Sequence, residues 1–179
     1  IKKNTLKIDI LLPPKEAFSE ANSGAVANYV YDTIKESKSS FAIRVFGRHV
    51  ATPFADINFV PLKPSTKWLY GHNLGFARTY LNILKDHSKP DLIEIHGRCN
   101  VASYVAKKRP DIPVALFLPN DPRDMRGSKS ISERRSLIKE LAQIERLKVT
   151  MIYLLICICV LGLVYIYIIP KKLGFIFIG

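Results

Sequence analysis

A chain of 179 residues is long enough for one domain of ordinary size, burying on folding roughly two thirds of its extended surface. Its net charge of +12 favours anionic partners such as phosphorylated sugars or an acidic membrane surface. Nucleic acid is not an expected partner, because the sequence has no RNA-reading aromatic signature, zinc-finger spacing or long Lys/Arg block.

The chain opens on Ile1, without an initiator Met or a signal-peptide pattern, as a trimmed or incomplete reading frame would. The run LKIDILL (6–12) closes on Pro13-Pro14 and reads as a buried strand. A helix is expected next, with Val26, Tyr29, Val30, Thr33 and Ile34 on one face and Asn22 or Ser23 as its cap. FAIRVF (41–46) and DINFV (56–60) read as strands, the second at an edge.

Leu74, Ala77, Leu81 and Leu84 mark a further helix before the strand DLIEI (91–95). Val101, Tyr104 and Val105 line a short helix entered through Asn100, and PVALFL (113–118) is the next strand. Ser130-x-x-Glu133 is a capping box opening a helix that would bury Leu137, Ile138 and Leu141. Strands alternating with helices predict an α/β, Rossmann-like, mainly parallel sheet with helices on both faces.

The composition changes at the end. Residues 1–144 read as the domain and residues 145–179 as a hydrophobic tail. Met151 to Ile169 is a run of 19 uncharged residues, about 28 Å long if helical and close to a bilayer's hydrocarbon thickness. Arg146 and Lys148 flank one end and Lys171 and Lys172 the other, so the charge bias leaves orientation undecided. A membrane anchor, a buried apolar element and an out-of-frame ending remain open. Cys99 stands alone; Cys157 and Cys159, inside the apolar run, read as apolar filler rather than a metal or disulfide pair.

Open α/β sheets bind ligands beyond the carboxyl ends of their strands. Three polar loops fall there: PPKEAFSEANSGA, HGRCN and PNDPRDMRGSK. Asn22, Ser23 and Gly24 at a helix start suit a phosphate or a sugar hydroxyl, or simply form an ordinary capped helix. No G-x-G-x-x-G spacing supports a dinucleotide there. His96 could serve as acid, base or hydroxyl ligand, and Arg98 could pair with phosphate. Asn120 and Asp121 could bind hydroxyls or close an Asx-turn before Pro122. Arg123, Arg126 and Lys129 add positive charge for a phosphate or anionic lipid, unless they are a solvated basic loop. Glu133 and Glu140 read as solvated helix residues rather than a catalytic pair.

In their order, LLPPKEAFSEANSGAVA and PDLIEIHGRCNVASYVAKKRPDIPVALFLPNDPRDMRGSKSISERR resemble the N-terminal half of family 4 (group 1) glycosyltransferases, in particular bacterial lipopolysaccharide core enzymes. The likeness covers about residues 6–144. It implies the acceptor-side domain of a two-domain GT-B fold. It also implies sugar transfer from a nucleotide donor to a lipopolysaccharide core or lipid-linked saccharide, at the cytoplasmic face of the bacterial inner membrane. The resemblance implies no metal or other cofactor; a nucleotide sugar is the donor expected for a full-length member. Gly24 matches the glycine of the family's first loop, His96 and Arg98 its HNR pattern with Gly97 in place of Asn, and Asn120 and Asp121 its HNDP pattern.

Two departures bear on activity. Pro119 stands where HNDP has His, and a proline ring offers neither donor nor acceptor to a transferred sugar. Residues beyond 144 carry no E-x7-E pattern of the family's donor domain, and without a bound donor the positioning that speeds transfer is lost. The expectation is a truncated enzyme, inactive alone. A non-enzymatic membrane-anchored remnant, or one half of a split enzyme with its donor domain on another chain, is the alternative.

Overall fold

The computed structural model describes residues 5–37, 42–63, 67–118, 130–133, 135 and 147–151. Its elements run β1 (Lys7–Leu11), α1 (Ala25–Glu36), β2 (Ala42–Arg48), β3 (Phe59–Leu62), α2 (Lys67–Asp86), β4 (Leu92–His96), α3 (Cys99–Lys108), β5 (Val114–Leu118) and β6 (Leu147–Met151). The strands form one sheet in the order β3-β2-β1-β4-β5-β6, every pair parallel. The α/β, Rossmann-like expectation holds.

That order follows from chirality. Right-handed crossovers carry the chain from β1 outward to β3 with α1 on one face, then back across to β4 and onward with α2 and α3 on the other. Residues alternate between the two faces accordingly. On the α1 face, Ile10, Leu12 and Val45 pack with Ala27, Val30, Phe18 and Phe54. On the opposite face, Leu11, Phe46, Ile93, Ile95, Val114 and Leu116 meet Phe76, Tyr80 and Leu84 of α2 and Val101, Ala102 and Val105 of α3.

Asp9 lies in the middle of β1 and is fully buried. Arg44, its register partner on β2, donates from Nε and Nη2 to the two carboxylate oxygens at 2.7 and 2.9 Å. Tyr80 of α2 adds its hydroxyl at 2.8 Å. The carboxylate is thus paired and hydrogen-bonded, the condition under which a buried charge persists.

Several local expectations shift. The cap of α1 is Gly24 with extended backbone, and neither Asn22 nor Ser23 supplies a side-chain cap. The buried face of α1 is turned slightly: Tyr31 stacks on Phe54 at 4.0 Å, while Thr33 is exposed. α3 begins at Cys99 after Arg98, not at Asn100, because the Arg98 carbonyl already accepts from Val101 and Ala102; the Asn100 side chain accepts from Asn73 instead.

β3 starts at Phe59, later than expected, because the chain turns over residues 55–57, where the Asp56 carboxylate pairs with Lys35 of α1. It is an edge strand as expected, which is where Pro61 is tolerated. A kink interrupts α2 at Gly71, whose φ of 71° suits glycine.

The capping box forms: Ser130 N donates to Glu133 Oε2 at 3.1 Å and Glu133 N to Ser130 Oγ at 3.2 Å. β6 pairs along β5 from Val114↔Leu147 to Leu118↔Met151. The sheet therefore extends past residue 144 and takes in the start of the apolar run. Leu137, Ile138, Leu141, Glu140, Cys157, Cys159 and the run beyond Met151 lie outside the described residues. Among the described residues no helix is long and apolar enough to cross a membrane.

Candidate functional site

The strand order reverses between β1 and β4, which pair from Ile8↔Leu92 to Leu11↔Ile95. The chain leaving these two strands leads to helices on opposite faces, α1 after β1 and α3 after β4, and the carboxyl edge at such a reversal is the position where open α/β sheets bind ligands.

The first loop is shaped by Pro13-Pro14-Lys15-Glu16. The Glu16 N–H donates to the Pro13 carbonyl at 2.9 Å, closing a β-turn with Pro14 at the position where a fixed φ is favoured. Arg48 at the end of β2 holds the turn by donating from Nε to the Glu16 carbonyl at 3.2 Å. The Glu16 side chain then lies against Gly24, the N-cap of α1: a Cβ added at Gly24 would meet the carboxylate carbon at 2.8 Å. The first turn of α1 has no acidic residue and no side-chain cap. A carboxylate beside this end complements its partial positive charge, an effect of about 0.3–1 kcal/mol in exposed settings.

The second strand contributes Glu94 and His96, two residues apart and so on one face. It is the α1 face, since Ile93 and Ile95 belong to the opposite core. His96 is fully buried, with Nε2 at 2.5 Å from Glu94 Oε1. A carboxylate only accepts, so Nε2 carries a proton and donates it to Glu94. Phe117 of β5 packs on the imidazole at 4.7 Å between centroids, and Tyr29 of α1 stacks on Phe117 at 5.0 Å.

Gly97 follows with a φ of 63°, a left-handed conformation that turns the chain sharply off the strand. Its N–H donates to the Phe117 carbonyl at 2.8 Å. Arg98, partly buried, donates from Nη1 to the Gly97 carbonyl at 2.8 Å. Its guanidinium is thus folded back on the loop. α3, like α1, has no side-chain cap and no acidic residue in its first turn.

Among the described residues, the buried side-chain atoms without a hydrogen-bond partner are Glu16 Oε2 and His96 Nδ1. Each carries a desolvation cost of about 1–3 kcal/mol. Native structures keep few such atoms. Both belong to residues at the carboxyl edge of the sheet, one after β1 and one at the end of β4.

The structure therefore brings Gly24, His96 and Arg98 to one edge of the sheet, with Asn22 exposed and Ser23 partly buried beside them. Asn120, Asp121, Arg123, Arg126 and Lys129, with Pro119, lie outside the described residues. The sequence reading passed over Glu94 and Glu16. Glu94 was legible, because Glu-x-His within a strand places both side chains on one face. Glu16 was not, because its position depends on a turn and on the approach of Gly24. Among the described residues no group of His, Cys, Asp and Glu is arranged to hold a metal ion.

No family model matches the chain, and no curated protein matches it. Among solved structures it is similar to TubZ of Clostridium botulinum phage c-st, with a TM-score of 0.43 at 10% identity. That alignment covers 83% of this chain and 51% of TubZ, so the chain spans about half the length of that protein. A likeness at this level carries no argument about function.

Proposed function

We propose that the chain is the acceptor-side half of a GT-B glycosyltransferase of the lipopolysaccharide core class. In this reading it holds a membrane-linked saccharide while a nucleotide-sugar donor is presented by a second domain. The observation that carries it is the meeting of the two motif-bearing loops, after β1 and β4, at the reversal of strand order. The left-handed Gly97 adds support: the resembling pattern has Asn there, and Asn is the residue that best shares that conformation with glycine. The surplus of basic residues favours an anionic membrane surface as the place of work.

In this reading His96 is the candidate acid or base, with Glu94 fixing its tautomer in the way a carboxylate orients the imidazole of a catalytic triad. Pro119 favours a second reading, a saccharide-binding half without transfer activity of its own. The test is a transfer assay with labelled nucleotide sugars and deacylated lipopolysaccharide core, using the chain alone and mixed with a donor-binding half. Label incorporation that needs both halves and falls on His96→Ala supports the proposal. Absence of transfer to any core acceptor with the donor half present rejects it.

A further inference from the structure

We draw no further inference here: the strongest candidate, the exposed basic patch on the outer surface of α2 and α3, where Arg78 donates to the Tyr104 hydroxyl at 3.3 Å and Lys108 lies over the Tyr104 ring, carries nothing because nothing in the structure shows what covers it.

Discussion

The Glu94 carboxylate and the His96 imidazole meet at 2.5 Å on the same face of β4, and Glu94 leaves only Nδ1 of the fully buried ring without a partner. Glu94→Ala should free the tautomer of His96 and cost about 1.5–3 kcal/mol, the range for a hydrogen bond to a charged group. Nitrogen-15 shifts of the imidazole check it directly: Nε2 protonated in the unaltered protein, a mixture in the variant. Identical ring shifts in both would show that Glu94 does not set the tautomer.

Asp9, Arg44 and Tyr80 form a buried network across β1, β2 and α2. Asp9→Ala leaves the Arg44 guanidinium without its carboxylate in a mostly buried setting, and should cost about 3–5 kcal/mol. Replacing both charges with apolar residues, Asp9→Leu with Arg44→Met, should recover much of that loss. Urea unfolding of the three proteins measures it; a loss under 1 kcal/mol for Asp9→Ala would mean that the pair contributes little.

Tyr80 makes the network sensitive to alkali. Burial first, and then the Asp9 charge and hydrogen bond, raise its pKa well above the ordinary tyrosine range. Above pH 10 the unfolded chain releases this proton and the native protein keeps it. Its contribution to stability is therefore complete below pH 10 and declines as pH rises, by about 1.4 kcal/mol per unit. Thermal unfolding between pH 9 and 11.5 should show a steeper decline for the unaltered protein than for Tyr80→Phe. Parallel curves would contradict the assignment.

Gly97 holds a φ of 63° at the exit from β4. Gly97→Ala should cost about 1–2 kcal/mol, the penalty for an L side chain in the left-handed region. Gly97→Asn should cost clearly less, because Asn tolerates that region. Chemical denaturation of both variants decides the order; equal losses would argue that packing against Phe117, not backbone conformation, governs the position.

The strands were legible wherever a short apolar run ended on proline, glycine or a polar cluster, as β1, β4 and β5 do. The capping box at Ser130 and Glu133 was legible because both partners are three residues apart. The pairings of Asp9 were not. Its partners are 35 and 71 positions away, and nothing local in KIDIL announces them. The start of β6 was hidden for another reason: a run rich in β-branched and aromatic residues satisfies both a helix and a strand, and a free place beside β5 settled Leu147–Met151 as strand. The caps of α1 and α3 were misplaced by one or two residues, since cap identity depends on backbone angles that propensity does not fix.

By itself the sequence determined the alternation of strands and helices and which polar loops stand next to apolar strands, because hydrophobic period and turn residues act over a few positions. Only the tertiary structure decided that β1 and β4 lie side by side, and that Glu16 rests on Gly24. It also decided that His96 is buried beside Tyr29 and Phe117 with one nitrogen unmet. Those relationships arise from crossover handedness and sheet register, which bring distant residues together and remove water from between them.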